Sequence, residues 1–362
     1  MKKLLMTTTA LIALGGVTSA LADLSISGNA QWRYKAWSDD YIDTPASGDT
    51  ANDSGNNNTE MTEGLEIWFK ADQTADSGMT YGAAARLREG TTGVDRNYIY
   101  VSDDWGKVTF GRQWAPLYSG SLGADWRGTI KGGQQPAPDA VQKDSNIMTG
   151  SFITTSGKAS KIIYDSPSIS GFKLGVSMTD AGGASKADST SWRATYGTDI
   201  MDGTGVKVSY GTESMKAKDS AESTADNDIT ELGLEVTSGD FTFAAVQIEN
   251  SKERNKIATG ASSTKTSEQK ANEFELAYNV SDVLTLNFIN FKNKEDAGTH
   301  MGDEYSSNAI GAKYEIAPGL TANLIYTKSE YTDATKDVAA TAANENKNND
   351  ATATYVQIRM TF

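Results

Sequence analysis

Apolar and polar residues alternate through nearly the whole sequence, and this period of two constrains the fold more than any other feature. In residues 24–35 most even-numbered positions are apolar, whereas Ser, Asn, Gln, Arg and Lys occupy the odd-numbered ones. The chain ends in the same way, with Val356, Ile358, Met360 and Phe362 at every second position. Because successive side chains of a β-strand point to opposite faces, this pattern predicts strands with one apolar and one polar face.

Short and long connections alternate between the predicted strands. Tight turns are expected near 74–78, 103–106, 167–171, 199–205, 238–240, 281–282 and 317–319. Longer polar stretches lie near 38–60, 89–95, 114–158, 181–190, 214–227, 251–271, 293–304 and 329–352. Seven turns and eight loops join sixteen strands. The sequence therefore predicts an all-β fold, a sixteen-stranded antiparallel transmembrane β-barrel with short periplasmic turns and long external loops.

A soluble β-sandwich is the main alternative, and in that fold the apolar faces would be buried against one another. The polar faces carry many charges, which a watery lumen tolerates and a lipid-facing surface does not. Aromatic residues also recur near strand ends, as in a membrane-interface girdle: Trp32, Tyr34, Trp37, Tyr81, Tyr98, Tyr100, Trp105, Phe172, Tyr196 and Tyr278. Both features favour the barrel, and they require Ile26, Leu65, Phe172 and Met360 to face outward.

Composition excludes several classes of function. With 47 acidic and 33 basic residues, the net charge of −14 argues against a nucleic-acid partner, which needs a basic patch. There is no Cys, which rules out thiol nucleophiles and Cys-based zinc sites. His300 is the one histidine, and no G-x-S-x-G elbow accompanies it, so we predict no enzyme activity. Phosphate loops and dinucleotide fingerprints are absent as well, so we predict no cofactor.

The first segment has the layout of an export signal. Lys2 and Lys3 precede a mostly apolar run over 4–17, and an A-x-A site at 20–22 ends it. The apolar run is too short for a membrane span of about 20 residues. We therefore expect residues 1–22 to be a cleaved signal peptide and residues 23–362 to form the barrel.

At this point the sequence resembles a known family, the sixteen-stranded general porins of the Gram-negative outer membrane. The residues that carry the resemblance are Leu24-Ser-Ile-Ser-Gly-Asn-Ala, Asp76-Ser-Gly-Met-Thr-Tyr-Gly-Ala, Tyr98-Ile-Tyr-Val-Ser-Asp-Asp-Trp-Gly-Lys-Val-Thr-Phe-Gly-Arg-Gln, Tyr164-Asp-Ser-Pro followed by Gly171-Phe, and the terminal Phe362. The resemblance implies a homotrimer in outer-membrane lipid, assembled by the outer-membrane insertase. It also implies passive diffusion of small hydrophilic solutes and ions. A substrate-preferring channel and a closed barrel acting as an adhesin or structural protein remain as alternatives.

Residues 114–158 form the longest interruption of the strand series. A segment of this length without regular period is usually functional or disordered, and its Trp, Tyr and Pro content favours a packed loop. A barrel of sixteen strands leaves an aqueous channel, which something must narrow to exclude larger solutes. The resemblance implies that this third loop folds into the lumen and constricts it.

Basic residues are predicted to line one wall of that constriction. Arg33 and Arg86 lie midway along the first and third strands on the polar face, and Lys35 and Arg88 follow two residues further along. Strict alternation would place Arg112 on the lipid face, but Gly111 offers a site for a bulge that turns it inward. The matching Arg of the family faces the pore, so we assign Arg112 to this wall.

The third loop supplies the expected acidic side of the constriction through Asp125, Asp139 and Asp144. In the family, such loop acids face the basic wall and set up a transverse field that filters solutes by charge. Arg127, Lys131 and Lys143 bring the formal charge of this loop near zero, so ion preference stays open. Acidic clusters in the first and fifth loops attract cations, but they lack the spacing of a dedicated calcium loop, and no metal site is predicted.

Overall fold

The computed structural model describes residues 23–39, 58–91, 93–123, 147–150, 156–180, 187–217, 226–254, 264–298, 301–332, 334 and 349–362. The signal segment 1–22 and His300 lie outside these residues, as do Asp125, Asp139 and Asp144. No helix among the described residues has both the length and the apolar character needed to cross a membrane.

The described residues form sixteen strands and one short helix. The strands are β1 (Asp23–Asp39), β2 (Asn58–Thr74), β3 (Thr80–Arg88), β4 (Val94–Asp103), β5 (Gly106–Arg112), β6 (Ser160–Asp165), β7 (Phe172–Thr179), β8 (Ala187–Met201), β9 (Thr204–Ala217), β10 (Asp226–Ser238), β11 (Phe241–Arg254), β12 (Thr264–Ser281), β13 (Leu284–Gly298), β14 (Glu304–Ala317), β15 (Leu320–Thr332) and β16 (Asn349–Thr361), and the helix is α1 (Pro116–Ser119). The predicted alternation of seven tight turns with longer connections is confirmed.

Each strand pairs with its neighbours in the chain, and β1 pairs with β16 to close the barrel. All sixteen pairings are antiparallel, and the closing pair runs in register from Asn29 opposite Thr361 to Asp39 opposite Ala351. Gly28 and Phe362 exchange two backbone hydrogen bonds, of 2.7 and 3.1 Å, beside this seam. Closure gives every strand two partners, so the predicted sixteen-stranded antiparallel barrel is confirmed.

The apolar faces of the strands point away from the barrel. Ile26, Leu65, Phe172 and Met360 are 44%, 41%, 44% and 47% exposed. In a β-sandwich these side chains would be buried in a shared core, so the sandwich alternative is wrong. An outward apolar face is expected for a barrel surrounded by lipid.

Three of the aromatic residues expected in an interface girdle lie on the inner face instead. Trp37 is opposite Ala353, which belongs to a buried cluster within the lumen. Tyr98 pairs with Ala84 and Tyr100 with Gly82, on the polar face of β3. Residues two positions apart share one face of a strand, and the pairing of Tyr98 and Tyr100 with the inner-face positions of β3 excludes both from the girdle.

The buried apolar core of the protein lies inside the barrel, on one side of the lumen. Leu117, Leu122 and Ile147 come from the segment between β5 and β6, and they pack in one cluster with inner-face residues that include Ile248 and Phe291. The strict polar lumen expected from the sequence is therefore interrupted over β10–β16 by an apolar strip. This strip gives the third loop an apolar surface to pack against.

Candidate functional site

The register places four of the predicted wall residues on the inner face of β1 and β3. Arg33 is opposite Thr62 of β2 and Lys35 is opposite Glu60. From the other side of β2, Trp68 is opposite Arg86 and Glu66 is opposite Arg88. The four basic residues alternate with exposed apolar residues on the same strands. The face that points into the barrel is therefore shared by Arg33, Lys35, Arg86 and Arg88.

Arg33, Lys35 and Arg88 line an open recess of about 310 Å³ on this wall. Lys35 is buried, and its ammonium lies 4.2 Å from the ring centroid of Trp37 and 5.8 Å from that of Tyr355. A cation over an aromatic face is stabilised by the ring quadrupole. Lys35 is thus held at the back of the recess, whereas Arg33 is half-buried and Arg88 is exposed at its edge.

Arg86 is buried in a network of charges rather than exposed to the channel. Its Nε donates to Asp95 at 2.7 Å, and its Nη1 donates to Glu66 at 3.2 Å. Lys158, which lies just before β6, pairs with the other oxygen of the same Asp95 carboxylate. Burial lowers the pKa of Lys158 from its ordinary value, and Asp95 opposes that effect. Arg86 therefore holds Asp95 within the wall, and Lys158, paired with the same carboxylate, ties the end of the third loop to β4.

Asp95 was not identified from the sequence because it occupies a bulge. Between β3 and β4, Arg86 is opposite Arg96, but the next residue, Leu87, is opposite Val94. Asp95 therefore has no partner on β3 and is the extra residue of the bulge. A bulge changes the direction of a side chain relative to strict alternation. Here it brings the carboxylate of Asp95 onto Arg86, in a segment that the sequence assigns to a polar loop ending at residue 95.

Arg112 does not join the wall. The bulge expected at Gly111 is missing from the register, which continues from Phe110 opposite Ile99 to Arg112 opposite Asn97. Gly111 instead has φ +139°, and a Cβ there would lie 2.4 Å from the backbone oxygen of Asn97. Glycine, which has no Cβ, is needed here because the backbone of Asn97 comes this close. Arg112 thus remains on the face of Phe110, at the strand end, where its Nε donates to the carbonyl of Lys158 at 2.9 Å.

The start of the third loop is fixed to the inner wall by hydrogen bonds. The backbone N–H of Leu117 donates to Ser191 Oγ at 3.1 Å, and Ser121 Oγ donates to Glu231 at 2.9 Å. Arg193 pairs with Glu231 at 2.9 Å and also donates to the carbonyl of Leu117. Because Arg193 and Glu231 are both buried, this pair fixes the loop entrance to β8 and β10.

Later parts of the loop contact the same side of the lumen. The N–H of Met148 donates to Gln269 at 2.8 Å, and Asn293 donates to the carbonyl of Met148 at 3.0 Å. The N–H of Ser156 donates to Glu213 at 3.1 Å. Leu117, Ser121, Met148 and Ser156 of the third loop therefore bind the inner faces of β8–β13, across the barrel from β1–β3, whereas the loop end at Lys158 contacts β4.

Carboxylates on the inner wall were missed by the sequence analysis, which sought acids only in the loop. Glu213 on β9, Glu231 on β10, and Glu273 and Glu275 on β12 are all buried. In strand order β10 is eight strands from β2, halfway around the barrel. The sequence does contain a signal for these acids. Glu231 falls on the polar face of its strand, opposite in direction to the apolar Leu232 and Leu234. Among the described residues, no cluster of His, Asp or Glu forms a candidate metal site.

A closed barrel with apolar residues outside, charged residues inside and a loop against its inner wall defines a membrane channel protein. The sequence matches the Gram-negative porin family over residues 7–360, and the chain belongs to that family. It is an outer-membrane channel for the diffusion of small solutes, and the family and fold point to a channel rather than an enzyme. Comparison with curated proteins gives no match.

Solved structures show the same fold at low sequence identity. OmpT of Vibrio cholerae is 14% identical with a TM-score of 0.63, covering 96% of this chain and 99% of its own. An anion-selective porin from Comamonas acidovorans is 11% identical with a TM-score of 0.59, covering 94% and 100%. OmpF of Salmonella typhi, in complex with daunomycin, is 14% identical with a TM-score of 0.62, covering 94% and 98%.

Proposed function

We propose that the protein is a non-catalytic, water-filled diffusion pore whose narrowest passage lies between the third loop and the wall of β1–β3. One observation carries the proposal. Leu117, Met148 and Ser156 of the third loop hydrogen-bond to the inner faces of β8–β13, on the side opposite Arg33 and Arg88. Solutes then pass next to the basic wall, and the open recess of about 310 Å³ on that wall belongs to the passage.

Arg33 and Arg88 are the two wall residues that we propose to act on passing ions. Lys35 is covered by rings, and Arg86 is buried with Asp95, so neither presents a freely accessible charge. An accessible guanidinium beside a narrow passage favours anions through its local potential. The acids Asp125, Asp139 and Asp144 remain part of the proposed opposite side, together with the inner-wall carboxylates of β9–β12.

We also propose that the mature protein is a homotrimer. A trimer form of OmpT of Vibrio cholerae supports this state, as does membership of the family. Residues 1–22 would be removed on export, and assembly would proceed through the outer-membrane insertase. Cross-linking of the purified protein and mass determination of the mature N-terminus test these two points directly.

Reversal potentials in planar bilayers under a salt gradient test the proposed passage. Arg33→Glu together with Arg88→Glu should shift the channel toward cations. The matched control is Lys292→Glu with Lys294→Glu, which reverses two charges on the outer face of β13 and should leave selectivity unchanged. If the wall variant keeps the wild-type reversal potential, Arg33 and Arg88 do not border the passage.

The same bilayer recording tests the alternatives. A closed barrel acting as an adhesin or structural protein would give no conductance steps, which would overturn the diffusion pore. A substrate-preferring channel would conduct ions, but addition of its substrate would block the current at low concentration. A diffusion pore should instead show stepwise, roughly salt-proportional conductance.

A further inference from the structure

Three aromatic side chains lie next to one another on the inner face of β2 and β4. The ring centroids of Trp68 and Tyr98 are 6.3 Å apart, and those of Tyr98 and Tyr100 are 6.4 Å apart. Between the two strands, β3 presents the small inner-face residues Gly82 and Ala84, which leave room for the rings. Tyr100 is buried, but Trp68 and Tyr98 are half-buried and keep part of their rings open to the lumen.

Arg96 adds a cation to these rings. It lies two residues before Tyr98 on β4, so the two side chains share the inner face. Its guanidinium carbon is 4.6 Å from the ring centroid of Trp68, and that of Arg86 is 5.5 Å away. A cation near an aromatic face is attracted by the ring quadrupole. We call Trp68, Arg96 and Tyr98 the aromatic ledge.

The charge of Arg96 has no anionic partner in the described part of the chain. Its Nη1 donates to the neutral amide oxygen of Gln113 at 3.0 Å, and its buried Nε has no acceptor there. None of the described carboxylates lies within ion-pair distance of it. Arg96 is also directly opposite Arg86, and like charges in such a pair repel each other. An anion bound on the ledge would offset this repulsion.

Carboxylates near the ledge do not neutralise this part of the wall. Asp95 pairs with Arg86 and Lys158, and Glu66 pairs with Arg86 and Arg88. Lys70 at the turn end is paired with its own carboxylate, Asp72, at 2.7 Å. Glu63 and Glu89 border the recess nearer the loop end. Together these four acids, Glu63, Glu66, Glu89 and Asp95, are outnumbered by five cations, Arg33, Arg86, Arg88, Arg96 and Lys158.

The ledge lies in the corner where the third loop meets the wall. Gln113, which accepts from Arg96, also accepts from the N–H of Trp114 at 3.0 Å, at the start of the loop. The ammonium of Lys158, at the end of the loop, lies 5.3 Å from the ring centroid of Trp114. Both ends of the loop are therefore beside the ledge. Solutes that the loop directs along the basic wall pass over the ledge.

We propose that the aromatic ledge binds small aromatic carboxylates as they cross the pore, an inference that rests on the proposed passage along this wall. The carboxylate accepts hydrogen bonds from Arg96, and the aromatic ring packs against Trp68 and Tyr98. The Tyr98 hydroxyl, which has no hydrogen-bond partner among the described residues, is a second donor. Contact between aromatic rings should favour an aromatic acid about threefold over a saturated acid of the same size and charge.

Block of single-channel chloride current in planar bilayers tests the ledge, with benzoate as the probe and cyclohexanecarboxylate as the non-aromatic comparison. For the wild type, the half-blocking concentration of benzoate should be about threefold lower than that of cyclohexanecarboxylate. The double variant Trp68→Leu, Tyr98→Leu should block equally with both acids. The matched control Trp32→Leu, Tyr34→Leu removes the same two rings from the outer face of β1 and should keep the wild-type ratio.

Arg96→Gln tests the carboxylate contact independently of the rings. The half-blocking concentrations of both acids should rise about threefold to fivefold, because a partly exposed ion pair is lost. The ratio between the two acids should stay as in the wild type, since the rings are still present. A purely structural role of Arg96 would leave both half-blocking concentrations unchanged, which would contradict the proposed contact.

A conservative variant separates loss of the ledge from loss of the fold. Trp68→Phe with Tyr98→Phe keeps both rings and should retain the preference for benzoate. Heat-dependent mobility in gels and chloride conductance verify that each variant is a folded pore. A wild-type channel that conducts but blocks equally with both acids, or does not block, overturns the ledge and leaves the diffusion pore intact. Absence of conductance steps in the wild type would instead overturn the proposed function.

Discussion

Arg86 and Arg88 lie two residues apart on the same face of β3, and we expect their replacement by Gln to have opposite consequences. The side chain of Arg86 is 7% exposed and its partner Asp95 is 5% exposed, whereas the side chain of Arg88 is 47% exposed. Arg86→Gln should therefore reduce stability, and Arg88→Gln should change ion selectivity. The two variants remove the same charge from the same strand, so each is the matched control of the other.

The magnitudes follow from the surroundings of each guanidinium. Removing one partner of a buried ion pair costs about 3–5 kcal/mol, because the remaining charge is left without compensation. Lys158 remains to neutralise Asp95, so we expect the lower end, about 3 kcal/mol, for Arg86→Gln. Arg88 makes a partly exposed pair with Glu66 at 3.3 Å, and such a pair is worth about 0–1 kcal/mol.

Two measurements distinguish the variants. Urea unfolding of the refolded barrel, followed by tryptophan fluorescence, gives the free energy of unfolding. Reversal potential in a salt gradient gives the selectivity. A loss of at least about 2 kcal/mol for Arg86→Gln relative to Arg88→Gln is expected, with the larger shift in reversal potential for Arg88→Gln. Equal stabilities, combined with a larger selectivity shift for Arg86→Gln, would refute our assignment of Arg86 to a structural network.

Further variants test the attachment of the loop and the closure of the barrel. Glu231→Gln leaves the buried Arg193 without its carboxylate, so we expect the free energy of unfolding to fall by about 3 kcal/mol and the conductance to change as the loop entrance is released. Glu235→Gln, on the same face but half-buried, should have little effect. Equal stability of the two variants would contradict this expectation. Gly28→Ala places a Cβ 2.2 Å from the carbonyl of Glu66, so refolding yield on a gel-shift assay should fall, whereas Gly197→Ala, with nothing closer than 3.9 Å, should refold normally. Raising the salt concentration should weaken selectivity, since charges are screened over about 10 Å at 0.1 M; selectivity that is constant in salt would argue for a steric filter.

The inner and outer faces of the strands could be predicted from the sequence residue by residue. Arg33, Lys35, Arg86 and Arg88 lie on the inner face as expected, because a period of two fixes side-chain direction wherever the register is regular. Asp95 was missed, because the sequence assigns it to a loop and the register is irregular there. The expectation failed at Arg112, where an expected bulge is replaced by a close approach of Gly111 to Asn97.

The difference between Arg86 and Arg88 could not be predicted from alternation. Both residues lie on the same face, carry the same charge and are two positions apart. Arg86 alone binds the carboxylate of Asp95 at the bulge of β4, and that carboxylate also binds the ammonium of the distant Lys158. Likewise, the sequence places acids in the third loop, whereas the loop is anchored by carboxylates of the wall such as Glu213 and Glu231. These contacts join residues that are far apart in the chain.

The amino-acid sequence alone determined the strand number, the outward apolar surface and the short-turn and long-loop ends, since each depends on local periodicity and turn chemistry. The tertiary structure decided which inward charges remain accessible and which are consumed in buried pairs. It also decided that Arg86 and Arg96 lie opposite each other on the inner face. The physical reason is that alternation sets the direction of a side chain, but only the register between strands and the path of the third loop set its neighbours.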